Sequence, residues 1–253
     1  MNRYVVGLST IPPRFSNLSN VLDSLINQKI QPHKIYLYIS DFYPRFNISI
    51  TNSMIPSYLN KYIPILKIVR GRDYGPISKL FCSLKNEFDP HTTIITCDDD
   101  LIYGKNWLNE LIVNSNRLID CAVGFRGRLL SKENLRYSNS KYITCSGIKQ
   151  DSEIDIITAV RGWAYKRKFF DLDFISNWEK SEKQHPFIFF NDDIWISGQL
   201  EKLNIKKIVV PSILAKSENM KLHSTSLIKS KGQHEKTNMH IQLFKKYWKP
   251  KLN

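Results

Sequence analysis

A chain of 253 residues can bury a sizeable core and fits one large α/β domain or two small ones. At 42% hydrophobic and 12% aromatic residues it lacks the composition of a disordered chain. The formal charge of +14 suits nucleic acid, an anionic membrane surface or an acidic small substrate, but the basic residues are scattered rather than gathered in one stripe, which argues against nucleic acid.

Tyr4 to Leu8 is a β-rich apolar run that stops at Ser9-Thr10-Ile11-Pro12-Pro13-Arg14. It is too short for a signal-peptide core, and no stretch approaches the roughly 20 apolar residues of a membrane span. A cytoplasmic chain, or one peripheral on the cytosolic side of a membrane, is expected. Leu18, Val21, Leu22, Leu25 and Ile26 have helical spacing, and Lys34 to Ile39 alternates as a strand. Ile63 to Val69 is a further strand. Pro76 opens a helix whose apolar face is Ile77, Leu80, Phe81 and Leu84. Thr92 to Cys97 reads as a buried strand running into Asp98-Asp99-Asp100, followed by a helix bearing Trp107, Leu108, Leu111 and Ile112. Ala122 to Phe125 and Ile154 to Val160 read as strands, Asp192 to Leu203 as a helix, and Ile208 to Val210 as a last strand. Lys216 to Lys236 lacks periodicity and reads as a loop, before a short terminal helix around Ile241 to Tyr247.

Strands alternating with helices predict an α/β fold with a mostly parallel sheet covered on both faces. Ligands in such sheets bind beyond the carboxyl ends of the strands, where Ser9-Thr10 and Asp98 to Asp100 both fall. The cysteines (Cys82, Cys97, Cys121, Cys145) sit in or beside apolar segments without the paired spacing of a zinc site or disulfide framework. No repeat or linker divides the chain, so a single domain over residues 1–253 is expected.

Three successive carboxylates repel one another and are best tolerated where a cation compensates them. Alternation at a strand end turns Asp98 and Asp100 to one side and Asp99 away. Their hard oxygens suit Mn²⁺ or Mg²⁺, which leave positions open for substrate phosphates. A solvated acidic turn is the plain alternative.

The triplet after a buried strand resembles the Asp-x-Asp motif of GT-A glycosyltransferases. Ser9 to Arg14, Gly75-Pro76-Ile77-Ser78-Lys79-Leu80, Asp98 to Tyr103 and Asn191-Asp192-Asp193-Ile194-Trp195 together resemble, in order and spacing, a family-2-like subgroup of bacteria and large DNA viruses. That resemblance implies a GT-A type α/β fold with a Rossmann-like nucleotide-binding half. It divides the chain into a nucleotide-sugar half (about 1–120), an acceptor half (121–215) and a basic loop with terminal helix (216–253). It also implies transfer of a hexosyl or deoxyhexosyl group from a nucleotide-diphosphate sugar, UDP-sugar favoured, to a glycan, lipid-linked or protein acceptor, with inversion. Asp98 would lie near the ribose and on the metal, Asp100 on the metal, and Asp99 in either role. Thr10 and Arg14 would lie by the nucleoside and Lys79 by phosphate, where helix N-terminus and ammonium act together. Asp193 is the candidate base with Asp192 second, although the pair also suits a plain helix start. Trp163 and Trp195 are candidate acceptor-stacking residues that would equally serve a core. His223 is a candidate further metal ligand, and Lys216, Lys221 and Lys229 are candidates to fold over the diphosphate. The competing readings are a sugar-phosphate nucleotidyltransferase, although Ser9 to Arg14 lacks its glycines, and a non-catalytic basic binding protein.

Overall fold

The computed structural model describes residues 3–220 and 233–252. The first half runs β1 (Tyr4–Ser9), α1 (Leu18–Ile26), β2 (Lys34–Ser40), a hairpin of β3 (Phe42–Tyr43) and β4 (Ile48–Ser49), β5 (Leu66–Gly71), α2 (Ser78–Leu84), β6 (Thr93–Thr96), β7 (Leu101–Tyr103) and α3 (Trp107–Arg117). The second half runs β8 (Cys121–Gly124), β9 (Arg126–Leu129), β10 (Lys141–Thr144), β11 (Ser152–Glu153), β12 (Ile156–Ile157), β13 (Trp163–Lys166), α4 (Phe174–Gln184), α5 (Asp192–Lys202), β14 (Lys206–Val209), β15 (Ser217–Asn219) and α6 (Gln233–Leu243).

An eight-stranded sheet of order β11-β14-β8-β13-β6-β1-β2-β5 joins both halves. The pairs β5–β2, β2–β1, β1–β6 and β8–β14 are parallel, whereas β13 enters antiparallel between β6 and β8. Alternate residues feed opposite faces: Val6, Leu8, Ile35 and Leu37 pack with α1 and α3, while Val5, Tyr36 and Tyr38 pack with α2 and α4 to α6. Both faces are therefore covered, and the carboxyl ends of the strands are a place where polar groups can converge without breaking the core. Strands β10, β9 and β12 form a separate three-stranded sheet beside this edge.

Several expected elements are corrected. Ile154 to Val160 is not one strand, because buried Asp155 interrupts it by accepting the Leu130 N–H at 2.7 Å and pairing with Lys251 at 3.2 Å. Within the predicted loop, Ser217–Asn219 pairs antiparallel with β7, a contact made by backbone and invisible to hydrophobic periodicity. Helix α6 starts at Gln233 rather than near Ile241. Helix α4 went unpredicted, since only Phe174 and Trp178 are buried in an otherwise polar segment. No helix among the described residues is long and apolar enough to cross a membrane.

Candidate active site

Residues from five segments meet at the carboxyl ends of β1 and β6, in a cleft of about 460 Å³. Strand β1 ends at Ser9 and the chain turns through Thr10 into a 3-10 segment, Pro12–Asn17, that carries Arg14. Strand β6 delivers Asp98, Asp99 and Asp100. Helix α5 opens on Asp192 and Asp193. Helix α2 crosses β1 at Gly7, where a Cβ would lie 1.9 Å from the Lys79 carbonyl oxygen, so only glycine lets the helix sit this low. That approach sets Lys79 over the strand end, 5% exposed and lining the cleft.

Lys79 joins the two acidic segments, with Nζ 3.0 Å from Asp98 Oδ1 and 3.0 Å from Asp192 Oδ2. The first contact is also a hydrogen bond; the second is an ion pair without hydrogen-bond geometry. Asp99 does not turn away as alternation predicted. It is 5% exposed, accepts from Thr10 Oγ1 at 2.7 Å and pairs with Arg14. Arg14 also reaches Asp100 Oδ2 at 3.2 Å. The Tyr103 hydroxyl accepts the Asp98 N–H at 2.8 Å and fixes the backbone where β6 ends. Asp193 Oδ1 accepts the Ala159 N–H at 3.0 Å.

The charges are strongly coupled. Burial pulls the Lys79 ammonium down, but Asp192, Asp98 and Asp193 outweigh it and hold its pKa well above the usual lysine value. Burial, then the Asp98 charge, pushes Asp100 up to about 6 against the pull of Arg14. Burial, then Asp192, raises Asp193 well above the carboxylate range, with Lys79 opposing. Asp193 lines the cleft, where its carboxylate can meet the hydroxyl of a bound molecule.

Among the described residues no group of three metal-ligating side chains is assembled. The donor set still fits a hard divalent ion. Asp98 and Asp100 line the cleft, their side chains are 22% and 28% exposed, and after burial the Asp98 charge is the next cause that raises Asp100. One or two carboxylates completed by water and phosphate oxygens is the usual protein share of a Mg²⁺ site.

Thr10, Arg14, Lys79, Asp98, Asp99, Asp100, Asp192 and Asp193 thus all line one cleft. The two tryptophans do not. Trp163 is fully buried, its ring against Gly124 and its N–H donating to Arg126 O and Thr158 O, both at 3.0 Å. Trp195, 3% exposed, packs among Trp178, His240 and Phe244. Both are core residues, because a bulky ring beside a strand finds more apolar contact under the sheet than over its edge. His223, Lys221 and Lys229 lie outside the described residues, and Lys216 is exposed and away from the cleft lining. Sequence reasoning passed over Arg126, Arg128, Tyr137 and Tyr142, which line the same cleft. The available signal was Arg126-Gly127-Arg128, a basic alternation that puts two guanidinium groups on one face of a strand.

No protein-family model matches the chain, and no curated protein does. Among solved structures, that of GalNAc-T7 with UDP, GalNAc and Mn²⁺ is similar at a TM-score of 0.60 and 14% sequence identity, over 87% of this chain and 44% of that one. The chain therefore has the GT-A fold and spans less than half the length of that relative.

Proposed function

We propose that this chain is a metal-dependent glycosyltransferase that moves a sugar from a nucleotide-diphosphate sugar, UDP-sugar by preference, to an acceptor hydroxyl. The observation that carries the proposal is the convergence of Asp98 to Asp100, Lys79 and Asp192–Asp193 in one cleft at the carboxyl edge of the sheet. The GalNAc-T7 structure, which holds UDP, GalNAc and Mn²⁺, supports the same donor class and ion here. The ordered match of four segments supports membership of the family-2-like subgroup.

In this reading Thr10, Arg14 and Asp99 form one hydrogen-bonded unit beside the nucleoside. Asp98 and Asp100 would hold Mn²⁺ or Mg²⁺, and the ion would supply positive charge to offset that of a diphosphate leaving group. Lys79 adds a second positive charge at the same place. Asp193 accepts the acceptor hydroxyl's proton as that oxygen bonds to the anomeric carbon and the carbon–oxygen bond to the diphosphate breaks. A displacement of this form inverts the anomeric configuration. NMR of the product anomer tests it, and a retained configuration removes Asp193 from the role.

The decisive experiment is thermal unfolding with UDP, UDP-sugars and Mn²⁺. A ligand at 100 times its Kd stabilises by about 2.7 kcal/mol, a rise of roughly 5–10 °C for a chain of this size. Asp100→Asn should abolish the metal-dependent part of that rise while leaving the ligand-free midpoint within about 2 °C. No response to any nucleotide sugar overturns the reading, and turnover of free nucleoside triphosphate points to a nucleotidyltransferase instead.

A further inference from the structure

The cleft has a second charged end, away from the triplet. Strand β8 lies two strands from β6, beyond β13, so the start of β9 stands roughly 10 Å across the sheet edge from the triplet. There Arg126 and Arg128 face one side, while Gly127 lies against Ile154, whose side chain a Cβ would approach to 2.8 Å. Their guanidinium groups sit over the Tyr142 ring, with carbons 4.5 Å and 3.4 Å from its centroid, and Arg128 is also 4.1 Å from that of Tyr137. Arg128 is 8% exposed and donates to Ser140 Oγ at 2.7 Å.

Neither arginine forms an ion pair among the described residues, and the Nε of each is buried without a partner. The buried cations Arg14, Lys79 and Lys207 meet carboxylates, while Lys166 and Arg167, like Arg128, meet neutral oxygens. Two adjacent guanidinium groups over shared rings repel each other, and their unmet donors carry a desolvation cost that an oxyanion would relieve. Arg128 Nη1 is taken by Ser140, and the remaining terminal N–H groups of the pair, which lines the cleft, can donate to a carboxylate or phosphate. Burial pushes the Tyr142 hydroxyl up, but hydrogen bonding from Arg128 and then the charges of both arginines outweigh it and lower its pKa.

The pair is joined to the candidate base through the backbone. Thr158 N–H donates to Arg126 O at 3.2 Å, and the next N–H, of Ala159, holds Asp193 at 3.0 Å. A hydroxyl presented to Asp193 therefore belongs to a molecule whose neighbouring substituents reach β9. Resting on the glycosyltransferase reading, we propose that the acceptor is an anionic sugar or glycan and that Arg126 and Arg128 hold its phosphate or carboxylate group. The two arginines set acceptor specificity by selecting charge, and the donor end, already matched by Arg14 and Lys79, does not need them.

The test is calorimetric titration of the full chain, saturated with UDP and Mg²⁺, with glucose 6-phosphate and glucuronate, using glucose as the neutral control. At least one anionic sugar should bind tenfold or more tightly than glucose, and added salt should weaken it. Arg126→Gln and Arg128→Gln should each remove at least tenfold of that preference, leaving UDP affinity within twofold. Arg128 is packed between rings and its variant can misfold, so Arg126→Gln with an unchanged unfolding midpoint decides the matter. Equal binding of charged and neutral sugars overturns the proposal. So does a loss of UDP affinity in Arg126→Gln, which assigns the pair to the donor. If UDP fails to bind the parent protein, the glycosyltransferase reading falls, and titration without UDP still reports whether the arginines select an anion.

Discussion

His240 sits fully buried between Phe187, Trp195 and Phe244, and neither ring nitrogen has a hydrogen-bond partner among the described residues. Burial, then the charge of His185, lowers it from 6.5 to about 3. The unfolded chain therefore takes up a proton at this residue between pH 6.5 and 3 while the native chain does not. Stability is full above pH 6.5 and is lost as pH falls towards 3, by on the order of 5 kcal/mol across the whole window. His240→Leu should flatten the fall in unfolding free energy between about pH 7 and 4 in urea titrations; an unchanged slope rejects the assignment. At this scale the acidic residues were legible, because a charge cluster at the end of a buried strand or the start of a helix has few places to go. The tryptophans and the arginines of β9 were not. Whether Trp163 turns over or under the sheet depends on Gly124 leaving bare surface beneath it, and that pairing is set by distant strand neighbours.

Helix α2 shows how an element can be read correctly and its environment missed. Its apolar positions suggested one buried face, yet all seven residues are buried, because the helix lies against β1 at Gly7 and beneath α4 and α5. Gly7→Ala puts a methyl group into the Lys79 carbonyl, and helix and strand must separate. A cost of about 1–3 kcal/mol is expected, with weakened UDP and metal binding as Lys79 leaves Asp98 and Asp192. Unfolding midpoints and ligand-induced shifts measured together check both halves of this statement. Helices α1 and α3 announced themselves through amphipathic spacing, whereas α4 buries too thin a stripe and β15 pairs through its backbone alone.

Over the whole molecule, the parallel half was legible because β1, β5 and β6 are each followed by an amphipathic helix that packs on the sheet. The other half depends on β13 inserting between β6 and β8, a long-range pairing that local pattern does not encode. Charge is likewise distributed by the fold. Lys251 turns inward to Asp155 at 3.2 Å and Glu201 at 3.2 Å, so the basic C-terminal region is partly a structural clamp. Deleting residues 249–253 should cost about 3–5 kcal/mol by removing the cation partner of the fully buried Asp155, seen as a lower unfolding midpoint. A membrane contact by this region is better tested by neutralising exposed Lys245 and Lys246, with liposome binding as the readout. The ammonium group of Lys79 belongs to both halves at once, and this makes them thermodynamically inseparable. Whatever draws Asp98 away leaves the whole cation to Asp192, so a change at either carboxylate is felt at the other. Asp98→Asn and Asp192→Asn should therefore fail to add in a double-mutant cycle on unfolding free energy, by about 0.5–3 kcal/mol. Strict additivity would mean that two distant stretches of sequence, joined through one nitrogen, behave as strangers.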